Sequence, residues 1–382
     1  MAKTDLYFSV HRSQLLPALS AAFEAVDTRA KIPILGNVLL KPEDGELRLR
    51  GTDLDIEIET TCDLLSEGSG MAITLKATDL RDIVRNLPET AEIEFHPGSY
   101  NGQVRIQAGR ARFSIFSLPE TDFPSISGAL AGKRFEVAMP AFTSAIGKVA
   151  HAALKVDIGR PWMMGIYVHP MEDAKIGFAA LNGIGLAAVQ IRTETTLDFP
   201  AVIIPLKTAT AIRKLFDDAT EPAKIEIGEN LMRVECGGVT IFSKLIDGIF
   251  EKNYLRAAPD DYEREIMVTV ASMKAVVSRV CLVATEVGKD GVKLTLERGM
   301  MRVELYSREG ESAVDYLPIE YEGDGGYSTG LNSKALEELL SSISSQDVII
   351  RFGGNPPNAV FYPSVGSNEL YVIAPMAARG VD

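Results

Sequence analysis

The chain has 382 residues, of which 46 % are hydrophobic and 24 % are charged, and its formal net charge is −13. This composition is typical of a soluble globular protein, and the length suggests two to three domains. No apolar run reaches the roughly 18 residues of a membrane span, and nothing near the first residue resembles a signal peptide, so we expect a cytoplasmic protein with no membrane partner. The negative charge argues against nucleic-acid binding unless positive residues are concentrated on one surface.

The sequence lacks the common signatures of catalytic and metal sites. Cys62, Cys236 and Cys281 are an odd number at wide spacing, which favours buried thiols over a disulfide framework or a metal site. There is no Walker A loop, no GxSxG, no HExxH and no GxGxxG with an acidic ribose partner. We therefore predict no catalytic residue, no metal and no cofactor.

The first third of the chain begins with a short alternating strand at Phe8, in FSVHRSQLLPALSAAFEAV, and continues as a predicted helix over residues 10–25. Paired strands are predicted in DGELRLRGTDLDIEIETT, and a second helix over residues 76–87 lies between two further strands. A carboxylate pair for metal or acid–base work is conceivable on the alternating acidic positions of this segment, but we expect a solvated strand face. These positions are Asp53, Asp55, Glu57 and Glu59.

The same succession occurs twice more. FEVAMPAFTSAIGKVAHAA starts 127 residues after the first copy, and IMVTVASMKAVVSRVCLVA starts 131 residues after the second. The helices are predicted over residues 140–155 and 205–216, then 272–285 and 332–344, and in the third helix Phe142, Ile146 and Val149 share one face. Such long periods indicate repeated domains, which we place at residues 1–129, 130–260 and 261–382. Two helices packed on antiparallel strands in each repeat predict an α+β fold.

Several motifs resemble one family over essentially the whole chain. IPILGNVLL, GTDLDIEIE, GRARFSIFSLPETDFP, FSKLIDG and YVIAPM stand in the order found in the bacterial DNA sliding clamp, the beta subunit of DNA polymerase III. The resemblance implies three similar clamp domains per chain, assembled head to tail into a ring-shaped homodimer. Such a ring encircles double-stranded DNA without sequence specificity, and it tethers the polymerase and other factors as a processivity factor without being an enzyme.

The charge distribution can be compared with this expectation. The six predicted helices carry a net charge of +7, which leaves −20 for the other residues. A basic lining within an acidic protein suits a ring that surrounds phosphates, with weak, salt-sensitive and sequence-independent binding. The predicted DNA-binding residues are Arg29, Lys76, Arg81, Arg85, Lys148, Lys155, Lys207, Arg213, Lys214, Lys274 and Arg279.

The resemblance also implies a pocket for short peptide motifs of the clamp loader and of DNA polymerase subunits. By position, it maps to Met163, Leu181, Gly183, Ile184, Gly185, Leu186, Arg256, Ala257, Val372, Ile373, Ala374, Pro375 and Met376. The family usually reads ATDGHRLA where this chain reads ALNGIGLA, so a cation and several hydrogen-bonding groups are missing. We therefore expect an altered preference for partner peptides.

Ring closure, by the same resemblance, joins domain 1 of one chain to domain 3 of the other. Phe113 and Ile115 match the apolar contacts of one side, although the alternation fits internal core equally well, and Leu282 and Val283 match those of the other side. Arg110 and Arg112 are expected to pair with acidic residues across the seam, which are Glu309, Glu311 or Asp315.

Two other functions stay open at the level of sequence. One is a specialised clamp paralogue that serves repair, a mobile element or antibiotic resistance with a different peptide preference. The other is an enzyme built on a triplicated α+β domain, which would require converging titratable groups that the sequence does not reveal.

Overall fold

The computed structural model describes residues 6–128, 130–284, 291–307, 310–323, 325–364 and 367–378. Six α-helices are α1 (Arg12–Phe23), α2 (Ala77–Asn86), α3 (Met139–Val149), α4 (Leu206–Phe216), α5 (Val270–Val280) and α6 (Ser333–Ser342). Within these residues, no helix has the length and apolar character needed to cross a bilayer.

The strands account for most of the remaining regular structure. The first twelve are β1 (Phe8–His11), β2 (Asn37–Glu43), β3 (Glu46–Thr52), β4 (Ile56–Asp63), β5 (Ile73–Lys76), β6 (Glu92–Pro97), β7 (Gln103–Ala108), β8 (Ala111–Leu118), β9 (Lys133–Ala138), β10 (Gly165–Met171), β11 (Lys175–Leu181) and β12 (Gly185–Arg192). The others are β13 (Val202–Pro205), β14 (Pro222–Ile227), β15 (Leu231–Cys236), β16 (Val239–Lys244), β17 (Arg264–Thr269), β18 (Gly291–Glu297), β19 (Met300–Tyr306), β20 (Ser312–Pro318), β21 (Tyr327–Asn332), β22 (Asp347–Phe352), β23 (Ala359–Tyr362) and β24 (Glu369–Ile373).

Unit 1 contains residues 6–140 and 210–245. Its twelve strands form one antiparallel sheet in the order β1-β6-β7-β8-β5-β2-β3-β4-β16-β15-β14-β9. Helix α1 buries Leu15, Leu19 and Ala22, which recur at helical spacing, against β3, β4 and helix α2. Strands such as β7 and β15 alternate buried and partly exposed side chains, because successive residues point to opposite faces of a sheet.

Unit 2 contains residues 141–209 and 246–378, apart from the gaps in the description. One antiparallel sheet has the order β13-β10-β11-β12-β24-β23-β22-β17, and a second has the order β20-β19-β18-β21. Helix α5 packs on α6 and on β19 and β20. Thr269 and Asn332 cap these helices, since their side-chain oxygens accept hydrogen bonds from the main-chain N–H groups of Ser272 and Ala335.

Four of the predicted helices agree with the structure to within two residues at each end, and the other two differ more. The segment predicted over residues 140–155 is α-helical only to Val149 and continues as a 3₁₀ turn over Ala150–Ala152, because Ala153 adopts extended dihedral angles. The segment predicted over residues 272–285 begins earlier, at Val270, and its last described turn is the 3₁₀ segment Cys281–Val283.

Strand pairing runs across the predicted domain boundaries. In unit 1, β4 pairs with β16, with Ile58 opposite Ile241. In unit 2, β12 pairs with β24, with Leu186 opposite Val372. The middle repeat therefore shares one sheet with the first repeat and another sheet with the third.

Candidate functional site

The helices are the basic part of the molecule. With their observed ends, α1 to α6 carry net charges of +1, 0, +1, +3, +2 and −1, a total of +6 in a chain whose net charge is −13. The other residues therefore carry −19, and the contrast in sign expected between helices and the rest of the chain is present.

Four of the predicted DNA-binding cations are exposed and have no ion-pair partner among the residues that the structure describes. They are Arg29, Arg85, Arg213 and Lys274. Lys207 is also exposed, at the start of α4. Cations of this kind are available to an external anion at no internal electrostatic cost.

Four other predicted cations form ion pairs within their own unit. The Nζ atom of Lys76 lies 3.0 Å from Asp79, that of Lys214 lies 2.6 Å from Glu24, and that of Lys155 lies 2.6 Å from Glu338. The Arg279 Nε atom lies 2.6 Å from Asp315, and it holds the pKa of that carboxyl below its usual range. Exposed pairs of this kind are weak and are screened by salt, so phosphates can compete for these cations.

The last two predicted cations, Arg81 and Lys148, pack against other side chains of the protein. The Arg81 guanidinium lies 3.5 Å from the centre of the Phe23 ring, which is a cation–π contact. Lys148 forms a short ion pair with Glu369, and the two side chains are only 21 % and 15 % exposed. The Tyr371 hydroxyl also donates a hydrogen bond to Glu369, at 2.9 Å. The Lys148 charge is therefore matched inside unit 2, which makes this residue a weaker candidate for DNA contact than the exposed cations.

The acidic strand β4 differs from the expected solvated face. Glu57 is fully buried, so the prediction is wrong for this residue. It accepts a hydrogen bond from the Ile126 main-chain N–H at 2.8 Å and lies 3.5 Å from Arg50. The carboxylate is covered by the segment that contains Ser125 and Ile126, since the Ser125 hydroxyl also donates to it, at 3.4 Å. The described residues contain no cluster of three His, Cys, Asp or Glu side chains that could bind a metal ion.

A cavity of about 510 Å³ opens in unit 2 where nine of the thirteen predicted pocket residues meet. They come from the hairpin between β11 and β12, from the 3₁₀ segment Tyr254–Ala257 and from the end of β24. The nine are Leu181, Gly183, Ile184, Gly185, Leu186, Arg256, Ala257, Val372 and Ala374. Met163, Ile373, Pro375 and Met376 do not line it; Ile373 is the neighbour of Val372 on β24 and points to the opposite face of the sheet, into the core.

The hairpin wall of the cavity is apolar and its main-chain donors are occupied. Asn182 Oδ1 accepts hydrogen bonds from the main-chain N–H groups of Ile184 and Gly185, each at 3.0 Å. Gly183 has a φ of +83°, which favours glycine, and a side chain at Gly185 would meet the Val372 carbonyl at 2.9 Å. This wall therefore presents Leu181, Ile184 and Leu186 without a free positive group.

An aromatic cluster supports the opposite wall. Tyr254 lines the cavity and donates its hydroxyl hydrogen to Nε2 of His169, at 3.1 Å. The other ring nitrogen of His169 lies 3.1 Å from the Pro170 carbonyl, which can only accept, so the neutral imidazole satisfies both contacts. Burial lowers the pKa of His169 and raises the pKa of Tyr254 to about 12. The Tyr167 ring stacks on those of His169 and Phe250.

Four residues of the lining are not identified by sequence reasoning. Glu251, Asn253 and Tyr254 lie in the FEKNY segment, which is not among the motifs used in the sequence analysis. Asn358 lies in the NPPNAV segment, which has no recognisable signal.

Two strand edges bear the predicted dimer residues. Strand β8 pairs with β7 over residues 111–116 and with β5 only at Ser117 and Leu118. The outer edge of residues 111–116 therefore has no strand partner in the described part of the chain. Phe113 and Ile115 pack against the core of unit 1, whereas Phe116 is 67 % exposed. Arg110 and Arg112 are exposed.

The second edge is β20, which pairs only with β19 in the described part of unit 2. Val314 and Tyr316 are exposed on it, and Leu282 of the adjoining 3₁₀ segment is 84 % exposed. Val283 is half-buried and Glu311 is exposed, whereas Asp315 already holds Arg279. Glu309 lies outside the described residues.

Comparison with known proteins identifies three consecutive matches. The family models for the N-terminal, central and C-terminal domains of the DNA polymerase III beta subunit match residues 6–127, 136–252 and 255–377. The beta sliding clamp of Caulobacter vibrioides is 29 % identical over 377 residues, which cover 96 % of this chain and 99 % of that protein. The beta sliding clamp of Escherichia coli K12 is 26 % identical over 369 residues, which cover 97 % and 99 %.

Solved structures agree with the sequence matches. The sliding clamp of Bartonella birtlesii, solved with griselimycin bound, has a TM-score of 0.90 and 30 % identity and covers 97 % of this chain and 99 % of that one. The Caulobacter crescentus beta sliding clamp has a TM-score of 0.91 and 28 % identity and covers 99 % and 100 %. The chain therefore belongs to the DNA polymerase III beta subunit family, the bacterial DNA sliding clamps.

Proposed function

We propose that this chain is a DNA sliding clamp, a processivity factor that encircles duplex DNA and tethers DNA polymerase III and other factors. The observation that carries the proposal is the match of all three clamp domain models, in order, over nearly the whole chain. The family acts without catalysis, so the chain is a binding subunit and not an enzyme. Its place of action is the cytoplasm, where bacterial DNA is replicated.

The DNA-facing surface is, in this proposal, formed by the basic helices and by cations that adjoin them in the chain, such as Arg29 after α1 and Lys76 before α2. Arg29, Arg85, Arg213 and Lys274 are its strongest members because no internal carboxylate neutralises them among the described residues, and Lys207 adds a further exposed charge. Lys76, Lys155, Lys214 and Arg279 contribute once phosphate replaces their weak internal partners. Long, exposed side chains that contact phosphates but no base edges allow binding at every position along DNA.

The ring forms, in this proposal, when β8 of one chain adds to β20 of another, head to tail at both seams. Both strands have an unpaired edge among the described residues, and an unpaired edge is a template for pairing with a second chain. The β8 side carries Arg110 and Arg112 and the β20 side carries Glu311, so the charges are complementary. Phe116, Val314 and Tyr316 supply exposed apolar surface.

The cavity of unit 2, which we call the partner cavity, takes short peptide segments of the clamp loader and of polymerase subunits. Its size and its apolar lining suit two or three large side chains of an extended peptide. Ile184 stands where the family motif has a histidine and Gly185 where it has an arginine, which favours apolar over acidic anchors. The specialised paralogue is not favoured, since the relatives it matches are named beta sliding clamps.

A processivity assay tests the proposal. Primed single-stranded circles are copied by the DNA polymerase III core and the clamp loader of the same organism, with a trap that permits one binding event per polymerase. We expect copies of whole circles with the chain and short products without it. Equal product lengths with and without the chain would contradict a role as a processivity factor.

A further inference from the structure

Asn358 is a buried polar residue in the apolar lining of the partner cavity. It is only 9 % exposed, and it directly precedes β23. Strand β23 pairs with β24, with Ala359 opposite Ile373 and Val360 opposite Val372. The sheet that carries one wall of the cavity therefore also fixes the position of Asn358.

The orientation of the Asn358 amide is set by its donor. Nδ2 donates a hydrogen bond to the Ala257 carbonyl at 2.8 Å, and the main-chain N–H donates to the Pro356 carbonyl at 2.8 Å. Since Nδ2 is committed to a carbonyl, the other end of the amide must be Oδ1, which can only accept. Oδ1 has no hydrogen-bond partner among the residues that the structure describes, and it is not among the fully covered atoms, so a molecule in the cavity can reach it.

The other polar side chains of the described lining are exposed or already bonded, and the N–H groups at the tip of the hairpin are bonded as well. The N–H groups of Ile184 and Gly185 bond to Asn182, and Glu251 accepts the Asn253 N–H at 2.8 Å. Arg256 is exposed and can only donate. Asn358 therefore supplies the buried side-chain acceptor that a ligand can still satisfy in the described lining of the cavity.

A peptide that enters this cavity brings its own donor. Each residue other than proline carries a main-chain N–H, and this group loses its water when the peptide is buried. The side chains that suit the apolar walls carry no donor, so the N–H of the main chain is the group that needs an acceptor. A buried acceptor and a buried donor left apart would both be penalised.

We propose that Asn358 Oδ1 accepts a hydrogen bond from one main-chain N–H of the bound partner peptide, and that this bond sets the register of the peptide in the cavity. Asn358 is thus a positioning residue for partner recognition. The inference rests on the proposed function, in which the partner cavity binds peptide segments of other replication proteins.

An ester scan tests the proposal. The probe is a fluorescein-labelled hexapeptide with one leucine and one phenylalanine anchor, together with analogues in which one main-chain amide at a time is replaced by an ester, which removes one N–H. Fluorescence polarisation gives Kd for the full chain and for the variants Asn358→Leu and Asn368→Leu. Asn368 is exposed and lies outside the cavity lining, so it is the matched control.

We expect one ester position to weaken binding to the unmodified chain by about five- to tenfold. In Asn358→Leu, the ester at that position should weaken binding by less than twofold, while the effects of the other esters on Kd stay unchanged. Asn368→Leu should bind every peptide as the unmodified chain does. Equal binding of all esters to the unmodified chain, or an equal loss of all peptides in Asn358→Leu, would overturn the assignment while leaving the clamp function standing. No binding of the parent peptide to the unmodified chain would overturn the assignment of Asn358 together with the proposed role of the partner cavity in binding peptides.

Discussion

At the scale of single residues, the predicted DNA-binding cations differ in what they already contact. Lys148 is committed to Glu369, whereas Arg29, Arg85, Arg213 and Lys274 have no carboxylate partner among the described residues. The free cations should dominate phosphate binding, because they lose no internal pair when they meet DNA.

Replacing those four cations by alanine should weaken DNA binding and reduce its dependence on salt. For each phosphate that is no longer neutralised, the slope of log K against log salt should become less negative by about 1. Polarisation of a labelled duplex, titrated at several salt concentrations, measures both quantities.

The matched control removes four positive charges from strands. Lys41, Lys175, Lys224 and Lys244 lie on β2, β11, β14 and β16. Their replacement by alanine changes the net charge equally but should leave the slope unchanged. Equal effects of the two quadruple variants would show that net charge, and not the helix surface, governs DNA binding.

His151 is a second residue whose environment has a measurable consequence. It lies in the 3₁₀ turn after α3, and its Nδ1 atom is buried without a hydrogen-bond partner in the described structure. Burial lowers its pKa from 6.5 to about 4; Glu338 and the Lys148 main chain oppose this shift, and Lys155 adds to it. The imidazole is therefore neutral in the folded chain over most of the acid range.

Because of this residue, the free energy of unfolding should decrease as the pH is lowered below about 6.5. Between pH 6.5 and pH 4 the unfolded chain binds a proton at His151 that the folded chain does not bind. This proton favours the unfolded chain, and at pH 4 it lowers the free energy of unfolding by about 3 kcal/mol. In His151→Phe, the free energy of unfolding from urea titrations should decline less steeply over this range. Identical pH profiles for the two chains would contradict the shifted pKa.

At the scale of elements, apolar spacing was a sufficient signal for the helices but not for their ends. Phe142, Ile146 and Val149 are all buried on α3, as their spacing predicted. The chain beyond Val149 remains apolar, and only the backbone conformation of Ala153 ends the helical segment. Similarly, alternation placed Phe113 and Ile115 on one face of β8 but could not decide whether that face meets the core or a second chain.

The edge of β8 gives a prediction for the dimer. Phe116→Asp places a charge on the exposed apolar side chain of the proposed seam and should raise the Kd of the dimer about a hundredfold. Tyr100→Asp is the control, because Tyr100 is 72 % exposed in the turn between β6 and β7. Sedimentation velocity over a concentration series should show monomers of the Phe116 variant where the control is a dimer. A Phe116 variant that dimerises like the control would exclude this seam.

The partner cavity shows where sequence reasoning stopped. The residues of β12 and β24 in its walls were located by the resemblance to the clamp family. Asn358 and Tyr254 were missed, because Asn358 has no local pattern and Tyr254 reads as an ordinary core aromatic. Their role depends on pairs that are distant in sequence, such as Asn358 with the Ala257 carbonyl and Tyr254 with His169.

At the scale of the whole molecule, the threefold repeat and the α+β class could be predicted, because each repeat preserves the order of its helices and strands. The pairing of β4 with β16 and of β12 with β24 could not, since each pair joins strands from different repeats. The sequence also predicted that the helices carry a positive net charge and the rest of the chain a negative one, and this contrast remains when the observed helix ends are used. A negatively charged chain can therefore hold DNA if its basic helices face the duplex.

Retention on DNA of different topology is the decisive measurement for encirclement. The labelled chain is loaded onto nicked circular DNA by its clamp loader, the complex is isolated by gel filtration, and the circle is then cut once with a restriction enzyme. We predict that the chain stays on intact circles and leaves within the time needed to slide off the ends of linear DNA. Retention that is equal on cut and uncut DNA would contradict encirclement, on which the proposed function depends.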